Sequence, residues 1–547
     1  MLRLIKMLLI IGVLLILTAC RGETFQNGSA YCKNKACTFT ANQVDMKGAT
    51  AFGTYNDTLM ENGWGILDIV AGNGNPRPAD EDIMFAAGFL EGRFTASRIA
   101  EHYQNVRGIF FSGERGPIIE VKVKKYFIQQ DQWMRKMIKE NVPKNPFWRH
   151  VSYIISQYDG LIEGYNAARL TQKTLPALKT YAFQVLNGAG DLIDLVKVLD
   201  PQSIPDWRKM TKEQAMIYAQ ESGHCSVLVK VLGAYEDIFM SHSSWFEYAA
   251  SSRIFKHYNF NVSDKSTSAR RISFASYPGF LESWDDFYLL GSKMVMLQTT
   301  NNIFNSTLYK SCTPNSLLAW HRVRVANMLA NTGKEWADIL ATYNSGTYNN
   351  QYMVIDLKQI TLGKEIRDNA LWVVEQIPTL VVSGDETQIL RAGYWPSYNV
   401  PFFEEIYNMS GYPEFSAQHG LDSTYQLAPR AKIFRRDEGK VVDLTSFKNI
   451  MRYNDYKNDK YSEDNPCNTI CCRGDLDAKS PRADGCYDTK VMDFNMALNL
   501  EADIINGPTL GNGLPPFKWT PTFNVSHTGL PNVYNFPFIS TSPRWKN

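Results

Sequence analysis

A change of texture at residue 225 limits the architectures open to this chain. Upstream, "DEDIMFAAGFLEGRFTASRIAEHYQNV" opens on acidic residues suited to a helix N-terminus, then spaces its apolar residues at helical intervals. "FWRHVSYIISQYDGLIEGYNAARL" does the same. Pro201 and Pro205 break the run, and "PQSIPDWRKMTKEQ" reads as an exposed connection open to proteolytic trimming. Downstream, "CSVLVKVL" and "EDIFMSHSSWF" are apolar or alternating around the loop "GAYE", the pattern of a strand pair. "RISFASYPGFL", "FYLLGSKMVMLQTT", "QYMVIDLKQI" and "LWVVEQIPTLVVSGD" continue a β-rich series, with helices expected in "PNSLLAWHRVRVANMLANTGKEWADILATY". The Pro/Gly-rich end, with "GPTLGNGLPPFKW", reads as ordered surface loop. Mixed helices and strands with no repeat and no linker predict one continuous α+β unit.

The chain has 547 residues, 44% apolar and 20% charged, with a formal net charge of +2. That is a globular balance, without the basic face that nucleic acid requires. "MLRLIKMLLIIGVLLILTAC" sets Arg3 and Lys6 before an apolar run and small residues, so residues 1–20 read as a signal peptide with no transmembrane anchor after it. Leu17 to Cys20 also fit a lipoprotein cleavage box, with Cys20 as the lipidated residue. Asn27, Asn56, Asn261, Asn305, Asn408 and Asn524 head glycosylation sequons. Cys32 and Cys37 lie close together, and Cys467, Cys471, Cys472 and Cys486 cluster late, so export predicts local disulfides, with three pairings open to the late four and zinc as the alternative. Cys225 and Cys312 remain, either bonded to each other or free. There is no G-x-S-x-G elbow, P-loop or H-E-x-x-H. Arg473, Gly474 and Asp475 spell an adhesion tripeptide that the adjacent cysteines explain as a tight exposed turn.

In "ESGHCSVLVKVL" a cysteine starts a strand. The bland reading of Cys225 is a small buried core residue. However, Gly223 gives backbone latitude just upstream, and Ser241, His242, Ser243 and Ser244 return polar groups on the neighbouring strand. This suits an N-terminal nucleophile. The thiol attacks the carbonyl of His224, water cleaves the thioester, and the new α-amino group of Cys225 serves as the base for its own thiol.

The chain resembles the phospholipase B-like, or lamina ancestor, family. The likeness runs from "GTYNDTLMENGWGILDI" through "GHCSVLVKVL", "SHSSWFEY" and "WHRVRVANMLANTGKEWADILATYNSGTYNNQYMVIDL" to "GCYDTKVMDFNMALNLEADIINGPTLGNGLPPFKW". The resemblance implies a four-layer αββα sandwich of the N-terminal-nucleophile hydrolase type. It implies cleavage between His224 and Cys225 into fragments 21–224, mostly helical, and 225–547, which stay associated. It further implies a secreted or lysosomal glycoprotein that releases fatty acids from glycerophospholipids, with a lipid substrate and neither cofactor nor metal. An amidase, or a non-catalytic lipid-binding glycoprotein on the same scaffold, is the alternative. Carried over by residue, Cys225 is the nucleophile, with His242 and Trp245 beside it. Asn344 in "YNSGTYNNQY" is the oxyanion donor, with Thr347 and Asn349 as further substrate contacts from that loop. The plain reading of the loop is a turn between a helix and a strand. Arg253 holds an anionic head group or is a solvated surface residue.

Overall fold

The hairpin expected at residue 225 is present: Ser226–Val231 pairs antiparallel with Ile238–Ser243, Val227 lying opposite His242. The computed structural model describes residues 25–222 and 225–545, so the leader, Cys20, Gly223 and His224 lie outside the described residues. The hairpin belongs to a six-stranded sheet, where it is flanked by Tyr394–Ser397 on one side and by Asp488–Met492, Ala502–Asn506 and Ile539–Thr541 on the other.

An eleven-stranded sheet holds the rest of the downstream β series, from Ile254–Phe260 through Met294–Thr300 and Asn350–Asp356 to the hairpin Leu371–Ile377 and Leu380–Asp385. Its other edge is built by Phe25–Lys33, Ala36–Ala41, Ala51–Thr58 and Trp64–Ala71, four strands missing from the sequence reading. Trp64–Ala71 meets Ile254–Phe260 in parallel, whereas the other pairings in this sheet are antiparallel. A parallel pair cannot be closed by a tight turn. The crossover here contains the whole helical series and the 225 hairpin.

Three apolar cores follow from strand alternation. Val227 and Val229 pack with Phe255, Leu297 and Met353 of the larger sheet. Leu228 and Phe239, on the opposite face, pack with Phe415, Phe434 and Phe447 from helices. The N-terminal helices cover the outer face of the larger sheet, with Leu90, Ile154 and Leu161 meeting Tyr258 and Phe274. Helices Asp80–Phe94 and Pro146–Thr171 approach closely through glycines: a Cβ on Gly88 would lie 1.9 Å from the Gln157 carbonyl oxygen, and one on Gly160 2.0 Å from that of Phe85.

Disulfides join Cys32 to Cys37, Cys467 to Cys472 and Cys471 to Cys486, which removes the zinc alternative for the late cluster. Cys225 and Cys312 are free thiols and not a pair. The adhesion tripeptide is not an exposed turn. Arg473 is fully buried, pairs with Asp475 at 2.7 Å and donates to the carbonyls of Thr509 and Pro515, tying down the C-terminal loop. Among the described residues no helix is long and apolar enough to cross a membrane.

Candidate active site

Cys225 stands one residue before its strand with φ of 85°, in the left-handed region. For a non-glycine residue that conformation costs on the order of 1 kcal/mol or more and needs outside support. Arg430 supplies it: its Nη1 donates to the Cys225 carbonyl at 2.6 Å and to Ser226 Oγ at 3.1 Å. Ser226 Oγ in turn donates to the Ile470 carbonyl at 2.8 Å. Arg430 Nη2 reaches the Tyr398 carbonyl at 2.9 Å and Asn399 Oδ1 at 2.5 Å, and the guanidinium lies 4.3 Å over the Trp245 ring. Every one of these acceptors is neutral. Among the described residues no carboxylate pairs with Arg430, and burial pulls it down to about 9.

The Cys225 thiol lines a cavity of about 20 Å³ with Ser244, Trp245, Trp284, Asp285, Tyr348 and Tyr487. That is room for about one water. Trp245, Phe246 and Ile193 also line an adjoining cleft of about 530 Å³, within the range of small-ligand sites, which adds Phe110, Lys197 and Arg482. The buried cysteine is therefore separated from the cleft by a wall that includes Ile193, Trp245 and Phe246, which line both spaces. Burial pushes its thiol up to about 12, against the opposing pull of the Trp245 backbone and Lys490. With an intact chain the group is a thiol at neutral pH and a poor nucleophile.

Beneath the cavity lies a fully buried charge quartet. Lys490 Nζ contacts Asp285 Oδ2 at 2.5 Å, Asp488 Oδ1 at 2.8 Å, Ser244 Oγ at 2.6 Å and His242 Nδ1 at 3.0 Å. Arg253 closes the group, with Nη2 2.9 Å from Asp285 and Nε 3.0 Å from Asp488. Its guanidinium packs 4.0 Å from the Tyr277 ring centre. Burial raises Asp285, but Arg253 and Lys490 outweigh it and hold the carboxyl well below the ordinary range. Burial, reinforced by Lys490, drives His242 well below its usual value, so the imidazole is neutral and its Nδ1 accepts from the ammonium. His242, Asp285 and Asp488 are close enough to hold a metal ion, but Lys490 Nζ already contacts all three. A metal does not fit beside that ammonium.

The sheet register explains the grouping. Val227, His242 and Lys490 form one cross-strand row; just past it, Ser244 N donates to Asp488 Oδ1 at 3.1 Å, and Ser244 shares the small cavity with Cys225. Trp245 lines both cavities. His242 lies one row behind, in contact with Lys490 and not among the residues lining the thiol's cavity. Arg253 is neither solvated nor free for a head group, since Asp285 and Asp488 take its N–H edges and the Tyr277 ring packs on its face. Asn344 spends its side chain on structure, accepting from Gly346 N of its own loop at 2.9 Å and donating to the carbonyl of Ile377, the last residue of a strand, at 3.1 Å. Asn349 donates to Asp194 at 2.9 Å, and Thr347 donates to Asp191 at 2.5 Å. That loop reaches the cavity through Tyr348 instead. The sequence reading missed Asp285, Asp488, Lys490, Arg430 and Asn399.

The family described as Phospholipase B matches residues 51–541. This chain belongs to that family. "Phospholipase B" of Crotalus adamanteus is 50% identical over 506 residues, covering 92% of this chain and 90% of that protein. "Phospholipase B-like 1" of Homo sapiens is 50% identical over 517 residues, 94% and 91% of the two chains. "Phospholipase B-like protein D" of Dictyostelium discoideum is 37% identical over 510 residues, 90% and 87% of the two chains. Membership at this identity supports a hydrolase-type enzymatic activity.

Proposed function

We propose that this chain is a lipid acyl hydrolase releasing fatty acids from glycerophospholipids, with Cys225 as a nucleophile exposed by cleavage after His224. The observation that carries the reading is the place of Cys225: a free thiol at φ of 85° that heads a buried strand, in a small cavity sharing Ile193, Trp245 and Phe246 with a ligand-sized cleft. The three stacked cores support the finer fold proposal, a four-layer αββα sandwich of the N-terminal-nucleophile type. Export, with loss of residues 1–20, glycosylation at the six sequons and a secreted or lysosomal destination belong to the same proposal, which the disulfides favour.

In maturation the Cys225 sulfur attacks the His224 carbonyl carbon and the peptide nitrogen leaves as the α-amine of Cys225. Water then hydrolyses the thioester, returning the thiol and leaving a carboxylate on the upstream fragment, which stays docked through the shared larger sheet. In turnover the amine takes the thiol proton, the thiolate attacks the ester carbonyl, and the ammonium returns a proton to the departing lysolipid alkoxide. Water repeats the addition on the acyl-enzyme and releases the fatty acid. Arg430, whose guanidinium meets the Cys225 carbonyl and is held in turn by Asn399 Oδ1, is the cation for the developing oxyanion, while the quartet anchors Ser244 under the cavity.

Intact-mass and N-terminal analysis of purified protein should find a new terminus at Cys225, absent in Cys225→Ala, together with acyl release from phospholipid that the variant lacks. Wild-type protein uncut at this bond, or Cys225→Ala protein that still releases fatty acid, would reject the mechanism. Cleaved protein that hydrolyses an acyl amide and no ester would move the assignment to an amidase.

A further inference from the structure

The long helix Gly116–Asn141 buries Ile119, Val123, Tyr126, Phe127 and Met134, as an amphipathic helix should. Its outer face is unusual because it is also apolar: Ile118, Val121 and Ile128 are 57%, 70% and 44% exposed. At roughly 100° per residue these three fall within an arc of about 80°, and so do the exposed Lys125, Lys136 and Lys139. Lys122 and Lys124 are exposed beside them. The helix carries six basic residues against three acidic ones, while the net charge of the whole chain is only +2. None of the six sequons lies on it.

This ridge starts next to the cleft. Ile109 and Phe110, which line the cleft, end the preceding helix, and only four residues separate that helix from Gly116. Lys122 Nζ donates to the Leu199 carbonyl at 2.9 Å and Arg115 pairs with Asp200 at 2.6 Å. Those contacts clamp the first turns to the end of helix Ala189–Leu199, whose Ile193 and Lys197 also line the cleft. We propose that the Ile118–Val121–Ile128 ridge, with its flanking lysines, docks the protein on an anionic lipid bilayer and thereby sets the cleft against the membrane surface. Branched apolar side chains enter the headgroup boundary while the lysine ammoniums meet lipid phosphates and carboxylates. The role of docking, though not its chemistry, rests on the lipid-hydrolase reading.

Full-length processed protein is mixed with vesicles of phosphatidylcholine alone, or of phosphatidylcholine with phosphatidylserine, and pelleted at low and high salt. Acyl release from the vesicles and from a monomeric short-chain ester is followed in parallel. Wild type should bind only the anionic vesicles, more weakly in high salt. Ile118→Ser/Val121→Ser should lower partitioning by about tenfold or more, and Lys125→Gln/Lys139→Gln by about fivefold per lysine. Both variants should keep wild-type hydrolysis of the monomeric ester. Wild type that ignores anionic vesicles, or variants that bind them equally well, would overturn the docking surface. Ridge-dependent binding with no hydrolysis of any ester would instead leave the surface standing and remove the hydrolase reading.

Discussion

Two buried polar regions flank Cys225, and they handle charge in opposite ways. Under the cavity, Arg253 and Lys490 face Asp285 and Asp488, two positive groups against two negative ones, all without solvent. Along the loop 398–403 the charges are separated. Arg430 holds one end of the loop through Tyr398 and Asn399, and Glu375 holds the other by accepting from the backbone N–H groups of Phe402 and Phe403 at 2.9 Å. Each of these two groups is met by neutral dipoles. A cancelled quartet acts as a rigid floor, since any change in one member exposes the rest. An uncancelled buried charge responds to whatever new charge arrives beside it, a developing oxyanion for Arg430 or a proton for Glu375.

The contrast breaks first at the quartet. Lys490→Met keeps volume but leaves two buried carboxylates with only Arg253, and should cost about 3–5 kcal/mol in urea unfolding. Adding Asp488→Asn should recover part of that loss. A loss below about 1 kcal/mol for Lys490→Met would show that the floor is not held together by its charges. On the other side, Arg430→Gln should lower acyl release by roughly 10²–10³-fold, the range for removing one oxyanion donor. Arg430→Lys keeps the charge without the fork and should fall between the variant and wild type. Equal activity in Lys and Gln variants, judged from kcat with folding checked by circular dichroism, would deny the positive charge any part in the reaction.

The same contrast explains what the sequence made legible. The 225 hairpin could be read because period-two alternation and a glycine-started turn are local signals, and Trp245 followed from being next to that strand. The quartet is assembled from Asp488 and Lys490 on one strand, Arg253 just before another and Asp285 in a turn, so only the tertiary fold brings it together. One trace was available: in "CYDTKVM" two opposite charges stand two residues apart on one face of an apolar strand, a pattern that calls for buried partners. Asn344 misled for a physical reason. Asn-Ser-Gly is strong turn chemistry, and the asparagine side chain is consumed by the turn it builds. Arg430 gave no signal, because "PRAKIFRRD" reads as an ordinary basic helix.

The smallest effect concerns Glu375, and it sharpens the comparison through pH. Burial raises this carboxyl to about 7 from an ordinary 4.5, although four donors, including Gln351 at 2.7 Å and Asn301 at 3.3 Å, favour its charged form. The site can take the proton: Gln351 Oε1 and Asn301 Oδ1 have no partner among the described residues, so an amide flip offers the new O–H an acceptor. Because the folded-state value is the higher one, the folded protein binds this proton more tightly than the unfolded chain. The resulting stabilisation is complete below about 4.5 and disappears as pH rises through about 7. A difference of this size is worth about 3 kcal/mol. Five buried histidines with lowered values tilt the whole-protein profile the other way, so the readout is a difference: the urea midpoint of wild type relative to Glu375→Gln should fall as pH rises across that window. Asp285, pinned low by two cations, should add no slope there. A wild-type profile that runs parallel to that of Glu375→Gln would mean that Glu375 is charged throughout, held by dipoles alone, and the difference between the two regions would reduce to that between Arg430 and the quartet.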